Sequence, residues 1–211
     1  MDYCIEELKK CKSFAILGGT FDPIHLGHIK TAKSILALTD VEKILFIPLG
    51  SPPHKDESHV SSALHRLNML RLAVEGEKDF LISTMEIDRS GKTYTIDTIK
   101  ELRKLLGKEK KFFFIIGTDE LLLINTWRNY EELLKICSFI AVTRPGYKDT
   151  LLEKDVALLT QKYGADIHIV EIPPVNVSSS EVRENIKNGV SENIPVNEKV
   201  LQYIKENNLY K

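Results

Sequence analysis

The sequence predicts an α/β fold, a doubly wound and mostly parallel sheet with helices on both faces. Three observations predict it. Short apolar runs alternate with longer segments of helical period along almost the whole chain. The most apolar run, KFFFIIGTD (111–119), has no polar alternation and suits a strand covered on both faces. The intervals between runs leave room for the crossover helices that parallel strands require.

In chain order, FAILGG (14–19) is a strand ending in glycines. HLGHIKTAKSILAL (25–38) follows as a helix with Leu26, Ile29, Ala32, Ile35 and Leu36 on one face. KILFIPL (43–49) is the second strand, and SSALHRLNMLRLAVEG (61–76) a helix with Leu64, Leu67, Leu70 and Val74 inward. FLISTMEI (80–87) reads as a third strand and TIDTIKELRKLLG (95–107) as a helix stopped by Gly107. Beyond the strand at 111–119 come a helix (130–136), a strand (139–144), a helix (150–164) and a strand (167–172). Helices over 179–188 and 196–206 close the chain. The charged first dozen residues allow a short helix or a frayed arm.

At 211 residues, one domain over 1–211 is expected, with 1–13 as an extension of unassigned role. The formal net charge of -1 gives no bulk electrostatic ground for a nucleic acid or an anionic membrane as partner. Cys4, Cys11 and Cys137 form no CxxC pair, and their odd number argues against a disulfide framework. No apolar run approaches the ~18 residues that span a bilayer, and the charged N-terminus is unlike a signal sequence. A cytoplasmic location is expected. The oligomeric state is left open, a homo-oligomer included.

In Rossmann-like sheets of this kind, ligands bind beyond the carboxyl ends of the strands, at the switch point where the helices change faces. That directs attention to the loops. GGTFDPIHLGH (18–28) joins a strand to a helix. Gly18 and Gly19 permit close backbone approach, and N–H groups at the helix start favour an anion. Asp22 and Pro23 suit a cap and a first-turn position. His25 and His28 fall on one helical face, where imidazoles can donate to phosphate oxygens and, when protonated, offset their charge. Gly27 removes a side chain that could block a ligand. A helix cap with two surface histidines would have the same spacing, and a zinc site would need further ligands.

VNVSSSEVREN (175–185) offers a second anion site, with hydroxyls at a helix start and Arg183 one turn on. A serine-rich cap of a surface helix would read the same way. Two anion sites so far apart in sequence make sense if both face one triphosphate. Elsewhere, His54 and Lys55 present donors after two prolines in IPLGSPPHKD (47–56). Asp119 is either a helix cap or an acceptor for a ribose hydroxyl. Trp127, the chain's one tryptophan, is either a wedge between helices or a stacking surface for a planar ligand.

The string GGTFDPIHLGH resembles the GxFDPxHxGH signature of the nucleotidylyltransferase superfamily. VSSSEVR resembles that superfamily's second signature, ISSTxIR, with Val177, Ser180 and Val182 as the departures. Three further stretches resemble nicotinate-nucleotide adenylyltransferases: the PPHK element at 52–55, SYTxxT around Thr95, and GxDxxxxLxxWxxxxxLL from Gly117. TRPGY (143–147), with Arg144, also matches. The similarity runs from residue 14 to about 205, and one departure is Thr126, where the family often carries a second tryptophan.

The resemblance implies transfer of AMP from ATP to nicotinate mononucleotide, giving deamido-NAD and pyrophosphate. It implies ATP phosphates on His25, His28 and Arg183, with Gly18, Gly19, Thr20, Phe21, Ser178, Ser179 and Ser180 lining the ATP site. His54 and Lys55 would take the acceptor phosphate, Thr95 and nearby N–H groups the nicotinate carboxylate, and Trp127 the pyridine ring. Mg²⁺ would enter with ATP, without a dedicated cage of protein ligands. Related acceptors, nicotinamide mononucleotide or phosphopantetheine, are the nearest alternatives. An aminoacyl-tRNA synthetase is disfavoured by the absence of a KMSKS-like lysine pair, and a non-catalytic nucleotide-binding module by the joint presence of both anion sites and the acceptor motifs.

Overall fold

The computed structural model describes residues 3–50, 60–143, 150–190 and 193–211. Their strands are β1 (Ser13–Gly19), β2 (Lys43–Pro48), β3 (Phe80–Ile82), β4 (Lys111–Gly117), β5 (Ser138–Thr143) and β6 (Ile167–Glu171). They form one sheet in the order β3-β2-β1-β4-β5-β6, with every pairing parallel. The chain winds outward from β1 to β3, then returns to β4 and winds the other way. The crevice beyond the ends of β1 and β4 is therefore the switch point.

The helices are α1 (Tyr3–Lys10), α2 (Leu26–Leu38), α3 (Ala63–Ala73), α4 (Thr95–Leu106), α5 (Thr118–Leu122), α6 (Tyr130–Ile136), α7 (Thr150–Tyr163), α8 (Ser179–Lys187) and α9 (Glu198–Glu206). Successive strand side chains point to opposite faces, so each central strand feeds two cores. Phe14, Ile16, Phe112, Phe114 and Ile116 meet α1, α4, α5, α6 and α7. Ala15, Leu17, Ile44, Phe46, Phe113 and Ile115 meet α2, α3, α8 and α9. That two-sided burial is why residues 112–116 are apolar without interruption.

Of the two alternatives for the N-terminal segment the structure has the short helix, and it is docked: Cys4, Ile5 and Leu8 of α1 are buried beside α4, while Lys9–Glu6 and Lys10–Glu7 pairs occupy its outer side. Other expectations need correction. The third strand ends at Ile82 rather than 87. Beyond Ser83, whose N–H reaches the Phe46 carbonyl, Thr84 and Asp88 close a turn on each other. In α3, Leu64 points out at 63 % exposure, and Arg66 points in at 2 %. An apolar periodicity cannot anticipate an inward arginine. On α2, Leu26 is likewise exposed. The strand at 111–119 stops at Gly117, which caps α5, a helix too short to announce itself by period.

Candidate active site

The glycine-rich loop leaves the sheet between β2 and β4. A Cβ on Gly18 would lie 3.2 Å from the Phe114 ring, and one on Gly19 would lie 3.0 Å from the Phe21 ring. These glycines accommodate the protein's own aromatics as well as opening the crevice. Phe21 takes a left-handed backbone (φ +52°), a strained choice for a bulky residue. Its ring is 1 % exposed and meets His28 edge-on at 5.0 Å. Phe21 is expected among the residues lining the ATP site; its ring instead supports the histidine from within the core.

Asp22 and Pro23 do not cap the helix. His25 is the N-cap of α2, and the Asp22–Pro23 peptide is cis. Asp22 is buried instead, its carboxylate accepting from the Tyr210 hydroxyl (2.5 Å) and the Ser61 N–H (3.3 Å). The first N–H of α2, on Leu26, is already bonded to the Pro195 carbonyl at 2.8 Å. It is not offered to an anion.

The two imidazoles stack, with centroids 3.7 Å apart and planes 23° from parallel. The His25 N–H donates to His28 Nδ1 at 3.2 Å. An accepting Nδ1 in a neutral ring places the proton on Nε2, which is then the donor available to a phosphate oxygen. His25 Nδ1 is buried without a partner among the described residues. Desolvation lowers the His25 pKa to about 4, against a smaller upward pull from Glu181. His28 keeps part of its edge open to solvent, yet desolvation and neighbouring His25 lower it to about 3. Both rings are neutral donors at pH 7, not the imidazolium pair that charge offset would call for. A bound triphosphate would draw both values upward.

The C-terminal turn docks directly on this loop. Ser179 Oγ donates to the Pro23 carbonyl at 3.0 Å, and Arg183 Nη1 donates to the Asp22 carbonyl at 2.7 Å. A Cβ on Gly27 would fall 2.8 Å from both His25 Nδ1 and Val177 Cγ1. Gly27 thus makes room for Val177 and the His25 ring rather than for a ligand. Ser178 caps α8 in a reciprocal box with Glu181: its Oγ accepts from the Glu181 N–H at 3.2 Å, and its own N–H donates to Glu181 Oε2 at 2.8 Å. Ser180 is exposed and accepts from Arg183 Nη2 at 3.3 Å. Two of the three serines are thus engaged in holding the turn, and Ser180 faces outward beside the guanidinium.

A cavity of about 390 Å³ opens at the switch point, within the range of small-ligand sites. Gly18, Gly19 and Thr20 line it, as do Thr95 and Trp127. Trp127 is half-buried and braced edge-to-face by Phe114 at 5.9 Å. Thr126, in the 3-10 turn Ile124–Thr126 before it, turns its hydroxyl to the Leu123 carbonyl at 2.7 Å. Thr95 is the first residue of α4, and Tyr94, not Thr95, is its N-cap. Asp119 is exposed in the first turn of α5 and is neither the cap nor part of the cavity wall; Glu120 beside it is. His54, Lys55 and Arg144 lie outside the described residues.

Four residues of this region escaped the motifs. Glu86 is buried in the cavity wall, where Thr98 donates to it at 2.6 Å and burial pushes its pKa up. Arg128 places its guanidinium 4.5 Å over the Tyr94 ring. Arg66 donates to the carbonyls of Thr20 (2.8 Å), Gly50 (2.9 Å) and Ser61 (3.1 Å), clamping the loops after β1 and β2. Tyr210 grips Asp22. None of the four had a signal in the local string, since each is placed by a partner on another element.

A parallel sheet with a histidine loop and a Ser/Arg turn joined at its switch point defines a nucleotide-handling α/β protein. The sequence model of the cytidylyltransferase-like family matches residues 16–185, and the chain belongs to that family. Within it, the chain is 42 % identical over 196 residues to a protein of Thermoanaerobacter sp. (strain X514) named probable nicotinate-nucleotide adenylyltransferase, covering 93 % of each. It is 40 % identical over 196 residues to a like-named protein of Moorella thermoacetica, covering 93 % of this chain and 90 % of the other. The fold is shared with the nicotinic acid mononucleotide adenylyltransferase of Plasmodium falciparum complexed with NaAD, at TM-score 0.76 and 24 % identity over 95 % of this chain and 98 % of that one. Among the described residues no helix is long and apolar enough to cross a membrane.

Proposed function

We propose that this protein is a nicotinate-nucleotide adenylyltransferase, transferring AMP from ATP to nicotinate mononucleotide and releasing pyrophosphate. The observation that carries the reading is the docking of the Ser/Arg turn onto the histidine loop, beside a tryptophan-walled cavity at the switch point. The names of relatives at about 40 % identity support the same reaction.

The acceptor phosphate is an anion at pH 7 and needs no general base. One of its oxygens attacks the α-phosphorus of ATP in line. The bond from that phosphorus to the bridging oxygen breaks, and pyrophosphate departs with the electron pair. Positioning and stabilisation of charge are then the protein's work. His28 Nε2–H and Arg183 meet the phosphate oxygens, with His25 stacked behind His28. Trp127 stacks on the pyridine ring, and N–H groups at the start of α4, around Thr95, meet its carboxylate. Among the described residues no group of three or more acidic, histidine or cysteine side chains is placed to hold a metal. Mg²⁺ would enter with ATP, held chiefly by the triphosphate, and would neutralise charge on the departing oxygens.

The test is pyrophosphate release and dinucleotide formation by purified protein with ATP and each of three acceptors: nicotinate mononucleotide, nicotinamide mononucleotide and phosphopantetheine. The highest kcat/KM with nicotinate mononucleotide is expected. Preference for another acceptor would replace the substrate, and no product with any of them would remove the reaction.

A further inference from the structure

Behind the nucleotide loop lies a polar network that the proposed chemistry does not use. α9 packs on α3, where the Tyr203 hydroxyl meets His65 Nδ1 at 2.9 Å and Asn68 Nδ2 at 3.0 Å. α3 carries Arg66, which holds the Thr20 carbonyl from below. The chain leaving α9 turns through Asn208 and Tyr210, both with left-handed backbone (φ +54° and +62°), and Leu209 N–H returns to the Ile204 carbonyl at 3.0 Å. That turn delivers the Tyr210 hydroxyl to Asp22 Oδ1 at 2.5 Å. Asp22 is 2 % exposed, and its other carboxylate oxygen accepts from the Ser61 N–H. Its backbone carbonyl is the acceptor for Arg183 Nη1.

We propose that Tyr210 is a positioning residue for adenylyl transfer: it anchors the Asp22 carboxylate, and the Asp22 carbonyl in turn aims the Arg183 guanidinium at the nucleotide. The inference rests on the adenylyltransferase reading. Three features carry it. The phenol–carboxylate bond is short and charge-assisted, the stronger class of hydrogen bond. It is made within the loop that bears both histidines. Asp22 joins the two arms, Tyr210 through its side chain and Arg183 through its main chain. Burial and the adjacent Asp22 push the Tyr210 pKa up, so the phenol stays a donor at any working pH.

The experiment is Tyr210→Phe, which keeps the ring and removes only the hydroxyl. Steady-state kinetics with both substrates varied, calorimetric binding of a non-hydrolysable ATP analogue, and Tm are measured on the same samples. kcat/KM for ATP is expected to fall roughly tenfold to a hundredfold, with analogue affinity reduced, KM for nicotinate mononucleotide changed less than about twofold, and Tm nearly kept. Addition of Tyr210→Phe to an Arg183→Ala chain should weaken analogue binding no further, because the guanidinium it would aim is gone. Three outcomes overturn the proposal: kinetics unchanged by Tyr210→Phe, equal loss for both substrates together with a lowered Tm, or full additivity with Arg183→Ala. A wild-type protein that makes no dinucleotide would instead overturn the functional reading on which the proposal stands.

Discussion

His25 and His28 stack ring on ring at 3.7 Å, and the backbone N–H of the first fixes the tautomer of the second. Replacing His28 with alanine removes the Nε2–H donor. Loss of one well-placed donor to developing charge costs ~10²–10³-fold in rate. The expected outcome for His28→Ala is a fall of that size in kcat, with circular dichroism unchanged. A folded variant with near-normal pyrophosphate release would take this histidine out of the mechanism.

The same burial predicts how the ligand-free protein responds to acid. Both imidazoles titrate well below the ordinary 6.5 in the folded state, at about 4 and about 3. Between those values and 6.5 the unfolded chain binds protons that the folded one does not, so stability falls as pH falls. The contribution is complete above pH 6.5 and is lost on the way down to about 4 and 3. Tm measured from pH 7.5 to 5 should drop, and His25→Gln/His28→Gln should flatten that slope. An unaltered slope in the double variant would show that other groups govern the acid response.

Gly27→Ala puts a methyl group 2.8 Å from both His25 Nδ1 and Val177 Cγ1. Overpacking of this kind costs about 1–3 kcal/mol. Here it also wedges the Ser/Arg turn away from the histidine loop. A lowered Tm and reduced turnover are expected, with partial recovery of both on adding Val177→Ala. Wild-type stability and turnover in Gly27→Ala would show that the junction yields at no cost.

Trp127 is the only tryptophan, so its fluorescence reports on the cavity without interference. Nicotinate mononucleotide should quench it on binding. Trp127→Ala should raise KM for that substrate about tenfold or more, on the scale of ~1–3 kcal/mol for stacking a base on an aromatic side chain. KM for ATP should hardly change. Trp127→Phe should recover much of the loss. Equal effects on both substrates would place Trp127 in the fold rather than the acceptor site.

Legibility in the sequence followed the range of the physics. Strands buried on both faces declared themselves because nothing polar can sit at their centres: the strand expected at 111–119, KFFFIIGTD, is β4 but for its last two residues. The histidine loop and the Ser/Arg turn were legible because a local string specifies each. Arg66, Glu86 and Tyr210 were not. Each acts through a partner far along the chain, such as Thr20, Thr98 or Asp22, and no local period encodes such a pairing. Leu64 and Arg66 exchanged roles for the same reason, since an arginine goes inward only where carbonyls wait for it.

By itself, then, the sequence determined the alternation of strands and helices, the parallel sheet and the positions of the histidine loop and the Ser/Arg turn, because these depend on residue type at short spacing. The tertiary structure alone decided what Gly18, Gly19 and Gly27 are packed against, which nitrogen of His28 carries the proton and how Arg183 is held. Those properties arise where residues distant in sequence approach within hydrogen-bonding or van der Waals range, as Gly27 does with Val177 and Asp22 with Tyr210. Only the folded chain sets such distances.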